Sequence, residues 1–249
     1  MNIQNQLNEC YTAQASHFHH TRWFFKRPEL EHIAPLLQPY NNSSATLVDL
    51  WCGSGRISER IQSKWYDITY IWVDPALWMI NLANTQYADT QFINNDMLSF
   101  LQESKQQSID VILCLASFHH LQDHHTRLIT LQNIYRTLNY GWTAILVNRS
   151  YSDRFVQKYK KQCLQAIATS VLTLWNKKRN DVHIPRKDTH HQENQEVYYR
   201  YYHMFTLSEI KKLVKLTDFG LQEVCYIAQD GSKTHNRKES RNSFVILKK

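Results

Sequence analysis

The chain has 249 residues, 43% of them hydrophobic, and a formal net charge of +7. That length supports one sizeable core. With no apolar run of about 18 residues, the composition excludes a membrane-spanning helix. Five scattered cysteines without a CxxC pair exclude a disulfide framework and a cysteine-built zinc site, and they point to a reducing cytoplasmic setting. The first residues, MNIQNQLNECYTAQ, lack the basic start and apolar centre of a signal peptide.

Charge is unevenly divided. Residues 1–150 carry 10 Lys/Arg and 12 Asp/Glu, a net of −2, whereas residues 151–249 carry 19 and 10, a net of +9. The basic back half suits a polyanionic partner or a solvated basic surface. Glycine is scarce, with five present where about 17 would follow from the usual ~7%. Tryptophan, normally rare, numbers seven.

In chain order, residues 1–40 are expected to be helical, with YTAQASHF and PELEHIAPLL as amphipathic pieces and NNSS as the loop that follows. ATLVDL reads as a buried strand ending in an acid, RISERIQSK as a helix, ITYIWVD as a second strand and PALWMINLANT as a second helix. QFINND and the strongly apolar SIDVILCLASF are the third and fourth strands. Leu128, Leu131, Ile134, Tyr135 and Leu138 share one face of the next helix, and TAILVN, after Gly141, is a fifth strand. The long DRFVQKYKKQCLQAIATSVLTLWNKKR reads as one helix and NDVHIPRKDTHHQENQE as a polar loop. Thr206 and Glu209 form a capping box ahead of a last helix, and LQEVCYIAQ and NSFVILKK close the chain as a hairpin around the basic loop DGSKTHNRKESR.

Strands alternating with helices predict a doubly wound α/β fold: a seven-stranded, mostly parallel sheet with an antiparallel C-terminal strand and a helical insertion. The expected layout is one domain over 1–249: an N-terminal helical lid (1–40), a core (44–150), a basic insertion (151–205) and a C-terminal helix with a strand pair (206–249). Such sheets bind ligands at the carboxyl ends of their strands. Those ends offer Asp49, Cys52, Gly53, Ser54 and Gly55, then Asp74 and Pro75, then Asp96 and Met97, then Leu115, Ser117, Phe118, His119 and His120. An acid about 20 residues after a glycine turn suits ribose hydroxyls. A dinucleotide fingerprint would need G-x-G-x-x-G, and here the glycines are too close and the third is missing.

In order and spacing, VDLWCGSGR, YIWVDPALWMI, Asn95-Asp96-Met97, IDVILCLASFHHL and IYRTLNYGW resemble the motifs of class I S-adenosylmethionine-dependent methyltransferases over residues 44–148. The resemblance implies a Rossmann-like methyltransferase fold and S-adenosylmethionine as cofactor. It implies cofactor contacts from Asp49, Trp51, Cys52, Gly53, Ser54, Gly55, Asp74, Pro75, Asp96, Met97 and Leu115, with Asp74 on the ribose and Arg22 closing from the N-terminal helix. Trp51, Trp72 and Trp142 fall where that family usually has glycine, and Trp65 and Trp78 sit where glycine would be ordinary. UGA codons read as glycine in the source but written as tryptophan in translation would account for all of them; genuine aromatic replacement in a repurposed site is the alternative.

SHFHHTRWFF and YYRYYHMFTLSEIKKLV resemble segments of the tRNA wobble-uridine carboxymethyl methyltransferases, as do DVHIP and the paired histidines that precede an arginine in FHHLQDHHTR. This implies esterification of a carboxymethyl group on the wobble uridine. It also implies a tRNA partner and, from eukaryotic relatives, a small activator subunit. Arg200, Tyr201, Tyr202, His203 and His119 would then position the substrate. A carboxylate is already anionic at neutral pH, so no catalytic base is called for. RYYH also suits an amphipathic strand or helix cap packed on the sheet, and no metal site is expected. A small-molecule methyltransferase, or a non-catalytic tRNA-binding protein with Trp51 in the cofactor loop, are the competing functions.

Overall fold

The computed structural model describes residues 28–41, 43–55, 57, 61, 68–87, 90–172, 180–187 and 197–249. Arg22 and the rest of the expected lid before residue 28, most of the RISERIQSK helix, Trp65, Trp175, the Lys177–Arg179 cluster and His190 and His191 lie outside them.

Among the described residues the chain runs α1 (Glu29–Leu37), a 3-10 turn (Gln38–Tyr40), β1 (Thr46–Leu50), β2 (Thr69–Asp74), α2 (Leu77–Gln86), β3 (Gln91–Asn94), α3 (Met97–Glu103), β4 (Ile109–Leu115), a 3-10 turn (Phe118–His120), α4 (His124–Thr137) and β5 (Leu138–Arg149). It continues with α5 (Asp153–Lys158), α6 (Lys160–Leu172), β6 (Asp181–Lys187), β7 (Val197–His203), α7 (Leu207–Val214), β8 (Gly220–Ala228), β9 (Lys233–Thr234) and β10 (Ser240–Lys248).

The main sheet has the order β3-β2-β1-β4-β5-β10-β8-β9. The first five strands are parallel, and β10 runs antiparallel between β5 and β8. The expected architecture is therefore present, with two-residue β9 added at one edge. Strand order reverses between β1 and β4, so their carboxyl ends flank the crevice that such sheets leave for a ligand.

Alternate residues of each central strand enter opposite layers. Val48, Leu50, Ile112, Cys114 and Leu146 join Leu131, Ile134, Ile210 and Leu213 from α4 and α7 on one face. Leu47, Leu113 and Ile145 join Ile33 and Leu37 from α1, with Ile57 and Ile61, on the other. Burial on both faces is why these strands read as continuous apolar runs. The face expected of α4 is the buried one: Leu131 and Ile134, with Leu138 just beyond, are in the core, and Leu128 and Tyr135 pack against it.

Two expectations for the insertion are corrected. The 153–172 stretch is two helices, broken at Tyr159. DVHIPRK is not loop but β6, paired antiparallel with β7 in a separate two-stranded sheet. This hairpin has its own small core of Val182, Ile184, Tyr202 and Met204, against which Tyr151, Phe155 and Tyr159 pack. The capping box is half made: the Thr206 side chain accepts from the Glu209 amide, but the Glu209 carboxylate goes to His203.

The tryptophans separate by environment. Trp72 is fully buried in the α1-side layer, its ring 5.8 Å from Tyr70 and 6.4 Å from Phe92. Trp142 stacks on Tyr40 at 4.5 Å. Trp78 is a half-buried helical residue. None of these three has a positive φ, so the backbone does not demand glycine there. Replacing Trp72 with Gly is expected to open a cavity and cost about 3–5 kcal/mol or slightly more, because glycine also weakens a strand interior. Urea denaturation reads this as a lower midpoint, and an unchanged midpoint would mean that position 72 does not need its side chain.

Candidate functional site at the strand ends

The turn leaving β1 is wound to the left. Trp51, Gly53 and Gly55 have φ of +66°, +64° and +69°. Gly55 has no room for a side chain, since a Cβ would lie 2.8 Å from the Phe92 ring. A Cβ on Gly53 would meet nothing within 4 Å, so the backbone there faces open space. Trp51 is the exception: a bulky residue at positive φ is a genuine outlier. It is held there by its amide, which donates to the Val73 carbonyl at 2.6 Å. Its half-buried ring lies 5.6 Å from His120. Ser44, Gln107 and Ala116 are also non-glycine residues at positive φ, and Ala116, with φ +67°, directly follows β4. Such strain persists where surrounding structure imposes it, and it concentrates at functional sites.

Asp74 ends β2 and straps the turn. Its carboxylate accepts from the Gly53 amide at 2.8 Å and the Ala76 amide at 2.9 Å. Burial pushes its pKa up to about 6, even though these two amides pull it down. Burial also pushes the Cys52 thiol up, with Asp74 and then Asp49 adding to it, so Cys52 is an inert packed thiol. Asp49 and Ser54 are buried beneath the turn, Leu115 is buried at the end of β4, and Pro75 is half-buried. Asp96 caps α3, accepting from the amides of Leu98 and Ser99, while Met97 is inside the core. The open backbone at Gly53 and the acid at Asp74, on two adjoining strand ends, fit the amino-acid and ribose parts of a nucleoside cofactor. Trp51 is the residue that crowds this fit.

A second group lies at the ends of β4 and β5, beneath the β6–β7 hairpin. His119, His120, Arg200, Tyr201, Tyr202 and His203 are all buried. Tyr202 stacks on His119 at 5.2 Å and lies 4.8 Å from His120. The Arg149 amide donates to His119 Nδ1 at 3.2 Å, which leaves that ring's proton on Nε2. His120 Nδ1 donates to the Tyr201 carbonyl at 2.7 Å. Burial, aided by the guanidinium charges of Arg200 and Arg149 and opposed by the hydrogen bond to the Tyr201 carbonyl, lowers the His120 pKa to about 3, so its ring is neutral at physiological pH. The structure thus assembles two arginines and two histidines at the end of the sheet.

Tyr201 and His203 were expected to face substrate, and the structure occupies them otherwise. The Tyr201 hydroxyl accepts from Arg127 Nη2 at 2.8 Å and donates to Asp181 or to the Gln122 carbonyl, at 2.8 and 2.7 Å. The His203 ring is clasped between Asp181 (2.5 Å) and Glu209 (2.7 Å). Arg127 is 1% exposed, 3.8 Å from Asp181, and its Nε donates to the Leu121 carbonyl. These contacts tie the hairpin to α4 and α7. Sequence reasoning missed Arg127, Asp181, Glu209 and Arg149 as members of the site. The first two stand in FHHLQDHHTR and DVHIP, where the motif carried the only signal.

A family model described as a methyltransferase domain matches residues 22–224. The chain belongs to the methyltransferase-domain family. The enzyme is a transferase that uses S-adenosylmethionine. Its fold is similar to that of a methyltransferase from Methanosarcina mazei (TM-score 0.65, 19% identity, covering 86% of this chain and 97% of that one). It is also similar to one from Clostridium acetobutylicum ATCC 824 (TM-score 0.64, 14% identity, covering 96% and 98%). A third likeness is to a putative methyltransferase from Haloferax volcanii solved with the Trm112 methyltransferase activator (TM-score 0.53, 16% identity, covering 82% of each chain). No curated protein matches the chain. Among the described residues, no helix of the methyltransferase is long and apolar enough to cross a membrane.

Two outcomes follow at the turn. Trp51→Gly is expected to stabilise the enzyme by about 1–2 kcal/mol through relief of the left-handed conformation, and to tighten S-adenosylmethionine binding by calorimetry. Weaker binding would instead make the indole part of the cofactor site. Asp74 has a folded pKa above its unfolded value, so its stabilising effect is complete below pH ~4 and is lost as pH rises through about 6. Asp74→Asn should flatten stability against pH in that window. In the native enzyme, cofactor affinity should rise over the same range as the carboxylate ionises, a dependence that Asn should abolish.

Proposed function

We propose that this methyltransferase esterifies a carboxylate on tRNA, the carboxymethyl group of the wobble uridine. The observation that carries this reading is the pairing of Arg200 and Arg149 with a neutral His120 at the end of β4. An imidazole with a pKa near 3 is too weak a base to activate a hydroxyl or amine at neutral pH. A nucleophile that is already ionised needs none, and the buried Arg200 with the half-buried Arg149 suits it. When bound, S-adenosylmethionine supplies an electrophilic sulfonium methyl group. Asp74, with the Gly53 backbone, holds its nucleoside and amino-acid parts. Arg200 and Arg149 orient the carboxylate oxygen toward that methyl, and Trp51, Tyr202 and the hairpin exclude water. Arg22 lies outside the described residues and keeps its proposed place as a closing group. The RYYH and DVHIP segments, which direct the reading to tRNA, pair with one another as β6 and β7. The Haloferax protein's activator supports a small activator subunit for this enzyme as well.

A second reading, a small anionic metabolite as acceptor, is favoured by the burial of Arg200, Tyr201 and Tyr202, since neither of these two tyrosines presents an open face to a splayed base. The test incubates the enzyme and its Trp51→Gly variant with methyl-labelled S-adenosylmethionine and mixed tRNA, then applies mild alkali. Label that enters tRNA and leaves as methanol is the expected result, and Arg200→Ala should lower it by 100-fold or more, on the scale of losing a charge-positioning group (~3 kcal/mol). Alkali-stable label would move the target to nitrogen, carbon or a ribose oxygen. Label found only in small molecules would favour the second reading.

A further inference from the structure

A cleft of about 450 Å³ opens where α6, α7 and the β9–β10 loop meet, lined among others by Tyr151, Asn180, Ser208, Glu209, Lys212 and Arg237. It adjoins the methyl-acceptor group without being part of it. Tyr151 follows Arg149 by two residues, and Glu209 forms the cleft wall while its Oε1 holds His203 at 2.7 Å. The Arg237 guanidinium sits 5.9 Å from the centre of the Tyr151 ring. Arg237 and Lys212 are exposed, and neither has an ion-pair partner among the described residues. Among the described residues the one acid on the lining, Glu209, holds His203. This is a concave site of nucleotide size, with the Tyr151 ring, the planar Arg237 cation beside it, a second positive charge at Lys212, and amide and hydroxyl donors. It also collects the basic β9–β10 loop, which methyl transfer itself does not use.

We propose that this cleft is a nucleotide subsite for single-stranded RNA, holding a nucleotide that flanks the methylated one. The base lies against Tyr151 and Arg237, and the phosphate lies against Lys212 and the Ser208 hydroxyl. Stacking on an aromatic ring with an adjacent guanidinium is how proteins hold unpaired bases without reading sequence. The subsite rests on the RNA part of the function proposed above, and its test separates the two.

The full chain, an Arg237→Glu/Lys212→Glu variant, the milder Arg237→Gln/Lys212→Gln variant and a control, Lys105→Glu, are titrated with a ten-residue oligouridylate and with unfractionated tRNA at several salt concentrations. Lys105 is exposed at the opposite end of the sheet, ahead of β4. Both double variants should bind each RNA at least tenfold more weakly at low salt, with a log–log salt slope shallower by about 0.7 for the one single-strand phosphate contact that Lys212 makes. S-adenosylmethionine affinity should be unchanged, and Lys105→Glu should behave as the native enzyme. RNA binding equal to native in both double variants overturns the subsite, as does an equal loss in Lys105→Glu. If the native enzyme methylates tRNA and the double variants keep its KM, the subsite falls and the function stands. If it binds oligouridylate through this cleft yet transfers no methyl to tRNA, the subsite stands and the tRNA function falls. Native enzyme that binds neither RNA overturns both.

Discussion

The constraint on which this molecule depends is the reversal of strand order between β1 and β4. Both faces of the sheet are covered, one by α3, α4 and α7 and the other by α1 and α2. The sheet itself can therefore receive a ligand at its strand ends and not on its faces. The two residues that leave β1 and β4, Trp51 and Ala116, both take left-handed backbone that their side chains disfavour. The chain turns away from the crevice at once on both sides, and the Asp74 carboxylate fastens one of those turns by two backbone amides. Burial makes this acid ionise late in spite of its two amide donors, so the same strap couples the state of the cofactor loop to pH.

The insertion solves a different problem. A parallel sheet ends in bare loops, and methyl transfer calls for a site from which water is excluded. The β6–β7 hairpin is a roof over the ends of β4 and β5. Its inner face carries Arg200 and Tyr202, which turn the space above His119 and His120 cationic and aromatic. It is kept in place by charge as well as by its apolar core: Arg127 from α4, Asp181 from β6, His203 from β7 and Glu209 from α7 form one chain of contacts. A partner removed from such a buried set leaves another group desolvated and unmatched, which is costlier than losing a surface pair.

The central strands were legible because burial on both faces writes them as apolar runs, as in VILCL and AILV. The cofactor turn was legible through its spacing, and Trp51 announced itself as an anomaly because the turn needs positive φ there. Trp72 and Trp142 looked like the same anomaly, but their backbone is not left-handed, and position alone does not show whether a backbone is left-handed or extended. β6 was hidden because Pro185 and its flanking charges read as loop, and its pairing partner lies beyond residues 188–196. The burial of Arg127 could not be read from pattern at all. An arginine in an amphipathic helix is ordinarily solvated, and only the packing of a hairpin some 70 residues later takes it out of water.

The clasp around His203 has a consequence for how the sequence can change. Arg127, Asp181, Tyr201, His203 and Glu209 come from four separate elements, yet each satisfies a polar group of another. No one of them can be exchanged for an apolar residue without stranding its neighbour. The five positions therefore act as a single unit: a change at any one calls for a compensating change at its partners.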